Sequence, residues 1–236
     1  MRRWLALLML LAAPALHAQT VQAVTEDSAY SYLAQGRVAG PATEVVRAAL
    51  ARAGFEEARI DLYPWARAYE MALSQPNVLI FLIARTPERE HRFKWVAELM
   101  KMQYHLYKRA SRTDIQVASL EAARRYSIGV IRDDVRQQYL KRKGFEHLVE
   151  SAGNDENFRQ LLAGRVDLVA LAQSDATLLC AKYHVDCSTV TRVLTLDELT
   201  VGLYMAFSKA TDDPVAARLG RAYQALKAEG ALAPLE

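Results

Sequence analysis

Strand-like and helix-like segments alternate along most of this 236-residue chain. The run Val78–Ala84 is continuously apolar, which is typical of a strand buried on both faces. Before it, strand patterns at 21–25 and 60–63 alternate with helical patterns at 41–53 and 64–73. This order predicts an α/β fold in which helices cover both faces of a sheet.

A second α/β unit follows a long extended segment at 95–108. Its predicted helices lie at 119–125, 134–143, 154–163 and 174–183, and its predicted strands at 127–131, 147–150 and 166–172. A strand at 199–207 and a helix that begins at Asp213 complete the chain. That helix carries one apolar stripe, formed by Val215, Leu219, Ala222, Tyr223 and Leu226.

The N-terminus has the pattern of a cleavable signal peptide. A positively charged segment at 1–3, with two arginines, precedes an apolar run at 4–11 and small residues at 12–18. We expect cleavage after Ala18, with Ala15 as the alternative site. An uncleaved amphipathic leader is the other interpretation. The signal predicts a periplasmic protein. The formal charge of the whole chain is only +3 and forms no basic stripe, so we expect no nucleic-acid partner.

The chain has two cysteines, Cys180 and Cys187. An even number in an exported protein favours a disulfide bond between them. His184 and Asp186 lie between the two thiols, so a metal site is an alternative, although the spacing does not match a structural zinc motif. Two free buried thiols are the third possibility. We expect no metal and no cofactor.

The segment after Ala84 has the composition of an anion-binding strand end. Thr86 suits a helix N-cap and Pro87 the first helical position, so we expect a helix whose N-terminal amides face a ligand. Three arginines cluster there although cations are unfavourable at that end of a helix, namely Arg85, Arg89 and Arg92. The alternative is that these arginines are solvated or pair with neighbouring glutamates.

Six motifs occur in a characteristic order along the chain. They are the signal peptide, Glu26-Asp-Ser-Ala-Tyr30-Ser-Tyr32, Gly36-Arg-Val-Ala-Gly40, Tyr63-Pro-Trp65-Ala-Arg67-Ala, Arg85-Thr-Pro-Glu-Arg89 and Gly164-Arg-Val-Asp167. Together they resemble the type 2 periplasmic solute-binding proteins, in the extracellular solute-binding protein family 3 that includes polar amino-acid binders. The resemblance covers essentially the whole mature chain.

This resemblance implies two lobes, each a mixed sheet flanked by helices, that close on a ligand. Lobe one would comprise residues 19–109 and 198–236, and lobe two residues 110–197. The protein would be a monomer that hands a small anionic or zwitterionic metabolite to the membrane subunits of an ABC permease. An exported sensor that signals to a membrane receptor is the alternative. A dehydratase-like enzyme with Glu26 as general acid is a third, remote interpretation of the function. The sequence contains no recognised catalytic motif, so we expect that the protein is not an enzyme.

The resemblance also implies roles for residues of the first lobe. Arg89 matches the arginine that grips the ligand carboxylate, and Ala84 stands where the family often has a hydroxyl residue. Tyr30 or Tyr32 could stack on the ligand. Glu26 could bind a cationic group or cap a loop, and Trp65 could line the cleft or fill the core.

The second lobe departs from the family pattern. Ala172 occupies the position of the acid that usually binds the ligand α-amino group, and Asp175 lies three residues later. Asp133 or Asp134 could replace that acid, and the alternative for both is a plain helix N-cap. The sequence leaves open which acid takes this role.

Overall fold

The computed structural model describes residues 20–235. The predicted signal peptide and its cleavage sites therefore lie outside the described residues. Within residues 20–235, none of the helices has the length and apolar character needed to span a bilayer.

Twelve strands and seven helices make up the described chain. The strands are β1 (Gln22–Thr25), β2 (Tyr32–Ala34), β3 (Arg37–Ala39), β4 (Arg59–Leu62), β5 (Val78–Ala84), β6 (Phe93–Met102), β7 (Tyr104–Arg109), β8 (Ile128–Ile131), β9 (Leu148–Ser151), β10 (Leu168–Ala172), β11 (Val190–Thr195) and β12 (Val201–Ser208). The helices are α1 (Pro41–Arg52), α2 (Trp65–Ser74), α3 (Leu120–Ala123), α4 (Val135–Arg142), α5 (Asn154–Leu162), α6 (Gln173–Lys182) and α7 (Asp213–Ala228).

Two five-stranded sheets form the centres of two lobes. The first has the order β4-β1-β5-β12-β6, and the second has the order β11-β7-β10-β8-β9. In the first sheet β1 is parallel to β4 and β5, whereas β12 is antiparallel to both of its neighbours. In the second sheet β8 is parallel to β9 and β10, whereas β7 is antiparallel to β10 and β11. Each lobe is thus built on a mixed sheet, which confirms the predicted fold class.

The chain crosses between the sheets twice, at short connections. Gln103 separates β6 of the first sheet from β7 of the second, and residues 196–200 separate β11 from β12. Strand β7 therefore pairs within the second sheet, whereas the sequence analysis placed residues 104–109 in lobe one. The predicted boundary at which the chain returns from lobe two to lobe one, after residue 197, lies within the second connection.

Apolar faces pack on both sides of the first sheet. One face carries α1 and α7, and the predicted stripe of α7 is buried along its whole length, with Leu219 fully enclosed. The other face carries α2, whose Trp65 and Ala68 pack against Ile80 and Ile83 of β5. The continuous apolar character of β5 is explained by this burial on two faces.

The helix predicted to start at Thr86 does not form, and this expectation is wrong. Strand β12 lies between β5 and β6 and is antiparallel to both, so β5 and β6 run in the same direction. Residues 85–92 therefore connect the end of β5 to the start of β6, which lies level with the start of β5. The distance is the length of about six strand residues, roughly 20 Å. Eight residues of α-helix would span only about 12 Å. The segment instead forms turns, in which the Arg89 amide donates to the Thr86 carbonyl at 3.0 Å.

Two further elements were not predicted. Strands β2 and β3 form a short hairpin across Gln35 and Gly36, both of which have positive φ. Strand β11 pairs with β7 at the edge of the second sheet and has an exposed centre. Both elements lack the apolar pattern that reveals buried strands from sequence.

Cys180 and Cys187 form a disulfide bond, as the sequence predicted. It joins the buried last turns of α6 to the short 3-10 turn at Cys187–Thr189. Among residues 20–235 there is no cluster of His, Cys, Asp and Glu suited to a metal ion.

Replacing both cysteines by alanine should destabilise the protein modestly. The bond closes a loop with a sequence separation of seven, for which chain entropy predicts about 2–3 kcal/mol. For a chain of this size that corresponds to a fall in melting temperature of about 5–10 °C. Differential scanning calorimetry measures it. A reducing agent should lower the melting temperature of the wild type by a similar amount and leave the double variant unchanged, and equal sensitivity of both proteins would contradict the assignment.

Candidate functional site

Three cavities lie along the seam between the lobes and share lining residues. Two have volumes of about 380 and 330 Å³ and share Pro64, Ala152 and Glu156. A third of about 30 Å³ shares Glu26 and Asn154 with the second. We call the three together the acidic cleft. More carboxyl groups than guanidinium groups line this cleft. The carboxyl groups belong to Glu26, Asp27, Glu150, Asp155, Glu156 and Asp175, and the guanidinium groups belong to Arg67, Arg132, Arg136 and Arg159.

Glu26 occupies the carboxyl end of the central parallel strand β1, where open α/β sheets bind ligands. Its Oε2 atom is buried and has no hydrogen-bond partner. Burial, reinforced by the negative charge of Asp134, raises the pKa of Glu26 to about 8. The carboxyl group is therefore protonated at neutral pH, unless a positive charge reaches it.

Arg136 anchors the floor of the cleft from the second lobe. Only 2% of its surface is exposed. Its Nε donates to Asp134 at 2.5 Å, and one terminal nitrogen donates to Asn154 Oδ1 at 2.9 Å and to the Ala170 carbonyl at 3.0 Å. The guanidinium also lies 5.0 Å from the ring centroid of Tyr104. These contacts occupy Arg136 and fix its position.

Asp134 caps α4, because its side chain accepts a hydrogen bond from the Arg136 amide at 2.9 Å. It is buried, and it is not among the residues that line the cleft cavities. The structure thus shows it as an N-cap and as an ion-pair partner.

Asp175 joins the two lobes. One carboxylate oxygen accepts a hydrogen bond from the Ala29 amide of the first lobe at 3.0 Å, and the other accepts one from Asn154 Nδ2 at 3.0 Å. Burial raises the pKa of Asp175 above its usual value. Ala172, at the family's usual acid position, is buried within β10, so Asp175 is the acid that lines the cleft from this segment.

A second contact between the lobes converges on the carbonyl of Asp133. This oxygen accepts hydrogen bonds from Trp65 Nε1 at 3.0 Å and from a terminal nitrogen of Arg89 at 3.0 Å. Asp133 has a φ of 60°, in the left-handed region that Asp tolerates better than most residues. Trp65 is buried in the core of α2 and β5 and is not among the lining residues of the acidic cleft.

Arg89 lies at the seam but outside the acidic cleft. It is 1% exposed, donates to the Ala84 carbonyl at 3.3 Å and lies 5.0 Å from the ring centroid of Tyr69. It lines a separate groove, described below. Its role in binding a ligand carboxylate stays a prediction.

The remaining predicted residues have different surroundings. Arg85 pairs with Glu90 at 2.5 Å, as the alternative interpretation held. Thr86 is buried at the start of the turns. Tyr30 lines the smallest cavity of the cleft, whereas Tyr32 lies on the β2–β3 hairpin and is 37% exposed.

Sequence reasoning missed Arg136, Asn154 and Tyr104. Arg136 carried one readable signal, because a cation in the first turn of a helix is unfavourable unless an acid neutralises it. Asn154 is the first residue of α5, after the N-cap Gly153, and its side-chain amide bridges Arg136 and Asp175. Tyr104 had no distinguishing pattern in its strand.

The pH dependence of stability should reveal the buried Glu26 carboxyl. Its pKa is about 8 when folded against 4.5 ordinarily, so the folded protein holds a proton that the unfolded chain has lost between these values. The free energy of unfolding should therefore fall as pH rises from 5 to 8, by at most about 1.4 kcal/mol per pH unit. Glu26→Gln should lose this part of the slope in urea titrations at each pH. Parallel curves for the variant and the wild type would contradict the assignment.

No family model and no curated protein matches this sequence. Solved structures match its fold across nearly the whole chain. A histidine kinase sensor domain with similarity to periplasmic binding proteins has 18% identity and a TM-score of 0.79, and the match covers 91% of this chain and 92% of that one. An ancestral arginine-binding protein bound to arginine has 16% identity, coverages of 89% and 93%, and a TM-score of 0.76. The arginine-, lysine-, histidine-binding protein ArtJ from Geobacillus stearothermophilus has 14% identity, coverages of 91% and 92%, and a TM-score of 0.77. The chain has the two-lobed fold of the type 2 periplasmic binding proteins.

Proposed function

We propose that this protein is an exported solute-binding protein that captures a small amino-acid-like metabolite between its lobes for an ABC permease. The observation that carries the proposal is the acidic cleft, in which Glu26 of the first lobe faces Asp175 and Arg136 of the second. A solute held there contacts both lobes at once. Its binding energy therefore favours the closed arrangement.

The charge of the cleft supports a solute with a cationic group. The buried Oε2 of Glu26 lacks a partner, and an ammonium or guanidinium group would supply one. Two of the matched structures are described as arginine-binding proteins, one of them also for lysine and histidine. The larger cavities, of about 330 and 380 Å³, have room for an amino acid of that size.

A zwitterionic solute also needs a partner for its carboxylate. Within the acidic cleft the guanidinium groups of Arg67, Arg132 and Arg159 line the two larger cavities. These three are more accessible than Arg136, whose Nε and one terminal nitrogen already donate to protein partners. Arg89, the group assigned by family resemblance, would have to leave the Asp133 carbonyl to reach a solute in the cleft.

A sensing role is the second candidate, because a sensor domain of a histidine kinase matches the fold with a TM-score of 0.79. The two roles share ligand capture and differ in the partner that recognises the closed form. Uptake of a labelled solute by cells with and without the intact gene separates them. Loss of uptake supports transport, and unchanged uptake with a lost response to the solute supports sensing.

Ligand binding should depend on charge and on Glu26. L-Arginine and L-lysine should raise the melting temperature more than L-alanine or L-glutamate does, because the cleft carries excess negative charge. Isothermal titration calorimetry should show at least a tenfold weaker affinity for Glu26→Gln, and no change for Glu57→Gln, an exposed glutamate of the first lobe. Tighter binding of L-glutamate than of L-arginine, or an unchanged affinity in Glu26→Gln, would contradict the proposal.

The affinity for a cationic solute should also rise with pH. A cation pairs with ionised Glu26, whereas the empty cleft holds the protonated form below a pH of about 8. Binding at pH 6.5 should therefore release close to one proton, and affinity should rise by up to about tenfold per pH unit until pH 8. Calorimetry in buffers of different ionisation enthalpy measures the released proton. Glu26→Gln should release none.

A further inference from the structure

A second groove crosses the seam between the lobes. Its volume is about 380 Å³, and it shares no lining residue with the acidic cleft. The first lobe contributes Tyr69, Glu88, Arg89 and Arg92, and the second lobe contributes Gln138, Lys141 and Arg142. We call it the basic groove, because four cationic side chains line it against one carboxylate.

The first lobe supplies two guanidinium groups that lie near the same aromatic ring. Arg89 lies 5.0 Å and Arg92 lies 5.7 Å from the ring centroid of Tyr69, and Arg92 also donates to the Tyr69 hydroxyl at 3.2 Å. Arg89 is almost completely buried, yet its Nε has no hydrogen-bond partner. A buried donor without an acceptor is unfavourable, and it leaves Arg89 with unused hydrogen-bonding capacity beside the groove.

The second lobe supplies cations that are loosely held. Arg142 pairs with Glu88 at 3.2 Å and Lys141 pairs with Glu150 at 3.1 Å, and all four side chains are at least one-third exposed. Exposed ion pairs of this kind contribute little free energy to stability. An incoming anion with a higher charge density can therefore displace the carboxylates from the two cations. The groove thus combines buried Arg89 and exposed Arg92 of the first lobe with two exposed cations of the second.

We propose that the basic groove binds a compact anion with two or three negative charges, at a site separate from the acidic cleft. A single carboxylate would neutralise only part of the excess of three positive charges, whereas a polyanion can contact Arg89 and Arg92 together with Lys141 or Arg142. Because its donors come from both lobes, the bound anion holds the lobes together. The inference does not depend on which solute enters the acidic cleft.

Pyrophosphate and citrate are suitable probes, with acetate at equal ionic strength as the monoanionic reference. Both polyanions should raise the melting temperature and bind measurably by calorimetry, whereas acetate should do neither. The double variant Lys141→Gln/Arg142→Gln removes two exposed charges and should weaken binding at least tenfold. The matched control Arg52→Gln/Lys227→Gln removes the same charge from exposed positions on α1 and α7 and should retain affinity within twofold.

Arg92→Gln tests the half of the site that the first lobe supplies, and it should also weaken polyanion binding. It is used in place of a change at buried Arg89, which could unfold the protein. Glu26→Gln should bind the polyanions as the wild type does, which separates this site from the acidic cleft. Equal losses in the groove variant and the control would reduce the effect to net charge and overturn the proposal. So would polyanion binding that Glu26→Gln abolishes, or no binding beyond that of acetate.

Discussion

Polar groups at the seam can be buried only when both lobes supply partners for them. Asp175 of the second lobe needs the Ala29 amide of the first, and the Asp133 carbonyl needs the side chains of Trp65 and Arg89. When the lobes part, water takes the place of each partner. The net free energy of such an exchange is small, so these polar contacts alone hold the lobes together only weakly.

The side of the molecule where the chain crosses between lobes is built differently. Met102 of β6 and Tyr104 of β7 lie in one apolar cluster with Leu106, Leu199 and Leu203, which is continuous across both sheets. Separating these residues would expose apolar surface, so their burial stabilises the connection between the lobes.

Much of the fold was predictable because its signals are local. Apolar runs and helical stripes located β5 and α7, since each segment carries its own burial pattern. The helix after Ala84 was mispredicted because Thr86 and Pro87 favour a helix start locally, whereas the topology of β5 and β6 leaves no length for one. Long-range geometry overrode local preference there.

The site was harder to predict because its charges are defined by partners distant in sequence. Glu26 was identified through the family resemblance, but the burial of Arg136 depends on Asn154 and on the ring of Tyr104. An arginine on a short polar helix is normally exposed, and its place in the first turn of α4 indicates an acidic neighbour but not burial. Arg89 was found by resemblance, yet its contact with the Asp133 carbonyl requires the second lobe to be in place.

Carboxyl groups and cations are separated along the seam between the lobes, in the acidic cleft and in the basic groove. Trp65 and Arg89 meet at one carbonyl, and the neighbours of Trp65 line the acidic cleft while Arg89 lines the basic groove. The closed seam therefore places an excess of carboxyl groups in one cavity and an excess of cations in the other. Opposite ligands in the two cavities would relieve repulsion in the same closed state, so each would favour binding of the other.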